Sequence, residues 1–364
     1  MIPVATVSLN EKARTYAQEC LETNQLSWRG RFVPLFAEAF AKHVGVEYAV
    51  PVSSGTAGLH LALEALGIGP GDEVIVPDLA YAAVANSVLH AGAFPVFVDS
   101  DLHTWNMAPS LVEQRITKRT KAIIAVHTLG NPCEMGELRR IADKYGLLLI
   151  EDACEALGAT SLNNDLFKSH ATVFSFYANK LITAGEGGVV VTPSSLVAER
   201  VKALAHQGAQ EGKGYWHTRL GWNYRMTNIQ AALLLGQLED IEALAESKRL
   251  LWILYRATIG ATSSQSVLPG YRHSGWMYAL DCGNWRNEVE SACLAVGIAT
   301  RRMFPPQSSL IHHRDPLGAL TRPVAVQLSE QVLMLPSYPA LSGEEIGRIC
   351  DVVRSGMGGT CSED

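Results

Sequence analysis

Between Tyr48 and Thr192, short apolar runs alternate with segments whose apolar residues recur at helical spacing. The runs Tyr48–Val52, Glu73–Pro77, Pro95–Val98, Ala122–His127, Leu147–Glu151, Thr172–Phe176 and Gly188–Thr192 are nearly continuous and rich in Val, Ile and Leu. Strands of that kind belong to a largely parallel sheet covered by helices on both faces. The helical segments are Glu11–Thr23, Phe36–Val44, an Ala/Leu-rich stretch ending at Ala65, and Tyr81–His90. A long helix, Thr227–Ser247, closes this α/β region. Beyond it the pattern loosens: Trp276–Leu280 predicts a strand, Asn287–Val296 and Glu344–Val353 predict helices, and prolines 305, 306, 316 and 323 predict loops. The chain thus divides into an N-terminal arm (1–35), a large α/β domain (36–247) and a smaller C-terminal α+β domain (248–364), to which the arm is a candidate addition.

Composition narrows the class. The 364 residues are 48% hydrophobic and 18% charged, the balance of a globular protein. Net charge is −6 and no Lys/Arg cluster stands out, which argues against nucleic acid as a partner. No apolar run approaches the roughly 18 residues of a membrane span. The first residues, MIPVATVSLNEKAR, lack the basic-then-apolar order of a secretory signal. A soluble cytoplasmic protein is expected. Seven scattered cysteines without a CxxC pair fit neither a disulfide framework nor zinc, and no metal site is expected.

Candidate chemistry collects at the carboxyl ends of the predicted strands, where open α/β sheets bind ligands. Ser53-Ser54-Gly55-Thr56-Ala57-Gly58 joins a strand to a helix, and its small residues and helix N-terminus suit a phosphate; alone it reads equally as a capping turn. Asp152 follows LLLIE, where it is either a helix cap or the partner of a pyridine nitrogen. Lys180 lies beyond another strand in an apolar, glycine-flanked setting, where desolvation would free its amine for a Schiff base. Ser175 and Asn179 beside it could donate to a phosphate, and Tyr81 could stack on a cofactor ring or simply join the core.

The segments SSGTAGLHLAL, EDACEALGA, FSFYANKLITAGEGG and LGWNYRMTNIQAALLLGQLE resemble, in order and spacing, the signatures of the DegT-type sugar aminotransferases. The likeness runs from Ile2-Pro3 to Leu335-Pro336-Ser337-Tyr338-Pro339 and is strongest toward the 4-amino-4,6-dideoxy-sugar branch, which includes the perosamine synthases. This resemblance implies a fold type I enzyme whose large domain binds pyridoxal 5'-phosphate. It implies Lys180 as Schiff-base lysine and proton carrier, Asp152 at the pyridine nitrogen, and Glu155 at the ring edge. It also implies phosphate binding by the Gly55-Thr56-Ala57 turn and Ser175, and a stacking Tyr81. Asn223 would reach the phosphate of the partner subunit in a homodimer. Glu186 stands in the family's TxGEGG loop and reads equally as a structural carboxylate.

The implied reaction moves an amino group from L-glutamate to a keto nucleotide sugar of the 4-keto-6-deoxyhexose kind, for amino-deoxysugar biosynthesis. Amination of a keto-cyclitol and a non-catalytic, cofactor-binding regulator are the alternatives. Lys180 itself argues against the family's dehydratases, which carry histidine there. Two segments depart from the family pattern. Residues 163–170, NNDLFKSH, replace a glycine-rich GxxGxxGD-like stretch, and residues 300–307, TRRMFPPQ, replace TRPFFYPxH.

Overall fold

The structure, a computed structural model, describes residues 1–210, 212–260, 263–317 and 321–359. Helices α1 (Glu11–Glu22) and α2 (Phe32–Val44) lead into β1 (Tyr48–Val52), α3 (Gly55–Ala65), β2 (Glu73–Pro77), α4 (Ala83–His90), β3 (Phe94–Val98) and α5 (Pro109–Val112). Next come β4 (Thr120–Val126), α6 (Met135–Tyr145), β5 (Leu148–Asp152), β6 (Thr160–Ser161), β7 (Ala171–Ser175), β8 (Gly188–Thr192) and α7 (Ser195–Ala205). Helices α8 (Asn228–Leu238) and α9 (Ile241–Ile259) precede β9 (Tyr271–Arg272), β10 (Ala279–Asp281), α10 (Arg286–Ala295) and β11 (Arg301–Arg302). The chain then forms α11 (Pro323–Gln331), β12 (Val332–Met334) and α12 (Gly343–Gly356).

Seven strands form one sheet in the order β1-β8-β7-β5-β4-β2-β3. Alternate residues of each strand face opposite layers. In β4, Ile123 and Ala125 pack with Phe36, Phe40, Leu138 and Leu234 of α2, α6 and α8. Ala122 and Ile124 pack on the other side with Leu61, Val84 and Val201 of α3, α4 and α7. Strands β2, β3, β4, β5 and β7 pair in parallel, whereas β8 runs antiparallel to both β1 and β7. A parallel return needs a crossover, usually a helix. The β7–β8 connection instead is an irregular loop that carries Lys180.

The predicted helix Thr227–Ser247 is two helices. A capping box of Thr227 and Gln230 starts α8. Asp240 then leaves helical geometry at φ −113° and ψ 15°. Its carboxylate accepts from Asn10 Nδ2 at 2.6 Å and Lys12 Nζ at 3.2 Å, and Asn10 also donates to the Gly236 carbonyl at 2.8 Å. The start of α1 thus caps the break, a contact local pattern cannot foretell. Helix α9 crosses position 248 unbroken, and its Leu251, Trp252 and Tyr255 join Tyr278, Leu333 and Ile349 in the smaller core.

That core rests on an antiparallel sheet in the order β10-β12-β11. The strand predicted over Trp276–Leu280 forms later, at Ala279–Asp281, and Trp276 itself lies before it. The proline-rich stretch also holds α11, where Pro323 sits in the first turn and starts the helix. The arm divides. Ile2 bridges Ile298, just before β11, while α1 packs on α8. Among the described residues, no helix is long and apolar enough to cross a membrane, and no group of three or more His, Cys, Asp or Glu could hold a metal. Cys361 lies outside the described residues.

Candidate active site

The turn after β1 ends at Ser54, whose Oγ accepts from the Ala57 N–H at 3.1 Å and caps α3. Ala57 is therefore engaged by the cap, which leaves the N–H groups of Gly55 and Thr56 without a partner inside the helix. The turn closes tightly on its neighbours. A Cβ at Gly55 would stand 2.8 Å from Cys154 Sγ and 3.0 Å from Ser175 Cβ. A Cβ at Gly188 would stand 2.5 Å from the Ser54 carbonyl. Glycine at both positions brings the ends of β1, β5, β7 and β8 to one point.

Asp152 ends β5, is 7% exposed, and accepts from the Cys154 N–H at 3.0 Å. Three residues on, Glu155 Oε2 accepts from the Leu129 N–H at 2.7 Å, and Oε1 lies 3.7 Å from Lys180 Nζ. Burial raises the Glu155 carboxyl above its usual range, against the opposing pull of Lys180 and the Leu129 N–H. The Lys180 side chain is only 12% exposed, and its Nζ stands 4.0 Å from the centre of the Trp276 ring. Cys154, Glu155, Ser175, Lys180 and Trp276 line one small cavity. Trp276 is the residue sequence reasoning missed. It lies just before β10, where it packs with Leu79 and Leu129, and nothing within HSGWMY marks it as part of a site.

The remaining candidates fall into two groups. Asn179 belongs with the cavity: its backbone carbonyl accepts from Trp276 Nε1 at 2.9 Å. Its Oδ1 is buried and has no hydrogen-bond partner among the described residues. Tyr81, Asn223 and Glu186 do not line that cavity. Tyr81 is 62% exposed with its ring 5.8 Å from that of Phe304. Asn223 is exposed, and its Oδ1 accepts from Arg225 Nη2 at 2.8 Å. Glu186 is exposed, and its backbone carbonyl accepts from Gln230 Nε2 at 3.0 Å.

Both departing segments serve as supports. In residues 163–170, Asn164 and Phe167 adopt φ of 52° and 63°, the left-handed region that favours glycine. Glu151 holds that loop by accepting from the Phe167 N–H at 2.8 Å, the Ser169 N–H at 3.1 Å and Ser169 Oγ at 2.7 Å. The Cys133 N–H donates to His127 Nδ1, so the ring hydrogen sits on Nε2 and points to Glu151 at 3.1 Å. Burial alone would push the Glu151 carboxyl up, but donors on His127, Ser169 and Phe167 outweigh it and hold it below the usual range. In the second segment, buried Gln307 donates from Nε2 to the Pro77 carbonyl at 2.7 Å and accepts from the Ala85 N–H at 3.0 Å. Ser308 donates to Asp78 through both its N–H and its Oγ. The segment therefore clamps the turn that carries Tyr81.

A sheltered amine, a buried carboxylate and an open helix N-terminus fit a group with an aldehyde, a ring nitrogen and a phosphate. The profile of the DegT/DnrJ/EryC1/StrS aminotransferase family matches residues 7–354. The chain belongs to that family. It is accordingly a pyridoxal-phosphate-dependent aminotransferase. The GDP-perosamine synthase of Caulobacter vibrioides is 41% identical over 361 residues, 96% of each chain. The GDP-perosamine synthase of Escherichia coli O157:H7 is 38% identical over 360 residues, 97% of each chain. Among solved structures, DesV of S. venezuelae is similar with a TM-score of 0.90 and 32% identity, covering 95% of this chain and 94% of that one.

Proposed function

We propose that this aminotransferase moves the amino group of L-glutamate to the keto carbon of a nucleotide-linked 4-keto-6-deoxyhexose, in the biosynthesis of an amino-deoxysugar. The observation that carries this reading is the Lys180 amine, sheltered between Glu155 and Trp276. Similarity along nearly the whole chain to GDP-perosamine synthases supports the sugar class. Bound pyridoxal phosphate supplies a protonated ring that accepts electron density from the donor carbon. Asp152 would hold the proton on the ring nitrogen, its negative charge favouring the protonated ring. The Gly55 and Thr56 N–H groups would bind the phosphate with Ser175 Oγ and the Asn179 amide, while Ser54 holds Ala57 and so fixes the turn. Tyr81 would stack on the ring from the turn clamped by Gln307 and Ser308. Lys180 Nζ would move protons between the cofactor and the substrate carbons, taking one from the donor carbon and giving one to the acceptor carbon.

A homodimer completes the reading, with Asn223 of one protomer reaching the phosphate of its partner. The loop before Asn223 supports this, since Tyr215, Trp216 and Leu220 are 99%, 64% and 82% exposed and invite cover by a second copy. The work would be done in the cytoplasm.

The test is a panel of GDP-, dTDP- and UDP-linked keto sugars, with a keto-cyclitol beside them, each incubated with L-glutamate. The expected result is 2-oxoglutarate with an aminated product of the 4-keto-6-deoxyhexose. Lys180→Ala should still bind cofactor and should lose multiple turnover. Product from the cyclitol alone, or sustained turnover by Lys180→Ala, would overturn the reading.

A further inference from the structure

We propose that Trp276 is a positioning residue for Lys180, its indole face and the Glu155 carboxylate together forming the resting place of the free lysine amine. The inference rests on the aminotransferase reading, in which that amine is repeatedly released and recaptured. A released lysine has a four-carbon stem with many rotamers, and most of them aim the amine away from the reacting carbon. Here two groups narrow the choice. The Trp276 ring lies 4.0 Å below Nζ, and Glu155 Oε1 stands 3.7 Å from it. The ring face attracts an ammonium through its quadrupole, most strongly where water is excluded, and Trp276 is 4% exposed.

The indole is itself held on several sides. Its Nε1 donates to the Asn179 carbonyl, one residue before the lysine, at 2.9 Å. The Trp276 N–H donates to Ser274 Oγ at 3.1 Å, and that hydroxyl donates to the Glu155 carbonyl at 2.9 Å. The Ser274 N–H donates to the Gly130 carbonyl at 2.9 Å. From α9, Lys248 Nζ donates to the Trp276 carbonyl at 2.6 Å. The indole N–H and the Ser274 hydroxyl therefore tie this segment to both flanks of the amine. A residue whose role was only to fill the core would not need its N–H aimed at the residue preceding the lysine.

The test compares the wild type with Trp276→Phe and Trp276→Leu. Phenylalanine keeps an aromatic face in nearly the same space, and thermal melting reports whether each variant is folded. Two rates are read: capture of added pyridoxal phosphate by the cofactor-free protein, followed by absorbance, and steady-state turnover. Borohydride reduction and peptide mass spectrometry locate the captured cofactor. With its resting place gone the lysine samples more rotamers that aim it away from the reacting carbon, which predicts capture and kcat roughly 5- to 30-fold slower in Trp276→Leu, with KM values within about two-fold of wild type and Trp276→Phe in between. Wild-type rates in both variants would overturn the proposal. So would a loss confined to KM, or a Trp276→Leu protein that fails to fold beside a Trp276→Phe protein with wild-type rates. A wild-type protein carrying no adduct on Lys180 would overturn the assignment of Lys180 as the Schiff-base lysine, and the proposal with it.

Discussion

Lys248 lies in the middle of α9, 3% exposed, and its Nζ donates to the carbonyls of Trp276 and Ser337. Among the described residues it has no ion pair, and burial lowers its pKa from 10.5 to about 7. Burial also lowers nearby His273 to about 3 and leaves it neutral. The unfolded chain holds the proton up to its ordinary pKa, whereas the folded chain has lost it above about 7. Between those values the unfolded state binds more protons, so stability rises with pH, by about 1.4 kcal/mol per pH unit from this group. Below the folded value the cost is complete, on the order of 5 kcal/mol. Replacing Lys248 by Met removes that cost and also strips two buried carbonyls of a donor, about 1–3 kcal/mol each. The two effects oppose each other and largely cancel near pH 7. The pH dependence does. Urea unfolding of the cofactor-free protein at fixed concentration, from pH 7.5 to 9.5, should show the wild type gaining about 2–3 kcal/mol relative to Lys248→Met. Parallel stability curves would refute the claim that the folded protein holds this amine uncharged.

Three further outcomes test other parts of the site. Asp152→Asn preserves the oxygen that accepts from the Cys154 N–H but removes the charge, and loss of a charge-assisted bond worth about 1.5–3 kcal/mol should lower kcat roughly 10- to 150-fold. Steady-state kinetics at saturating substrate would read it. Gly188→Ala would press a methyl against the Ser54 carbonyl, so calorimetry should show a loss of about 1–3 kcal/mol together with weaker cofactor binding. Trp216→Asp with Leu220→Asp should shift the protein toward monomer in sedimentation while the monomer stays folded; an unchanged sedimentation profile would remove that loop from any interface.

The strands were legible in the chain because each buries both faces, and that leaves short runs of Val, Ile and Leu between capped helices. Glu73–Pro77 and Gly188–Thr192 fall where the apolar pattern puts them. The candidate lysine and aspartate were legible for a related reason: both follow such runs directly. Asp152 lies at the end of β5, and Lys180 sits five residues beyond β7. What the sequence could not decide depends on contacts between distant residues. The break between α8 and α9 is made by Asn10 and Lys12, some 230 positions away. The direction of β8 follows from a loop that carries a lysine where a crossover helix would otherwise run. The two atypical segments became intelligible only when Glu151 was found gripping one and Asp78 the other. Trp276 reaches Asn179 across 97 positions, and no local spacing encodes that approach. Periodicity records which face of an element avoids water, and so it specifies strands, helices and their ends. Which distant side chain closes over the amine is set by how the packed elements meet, and only the tertiary structure holds that information.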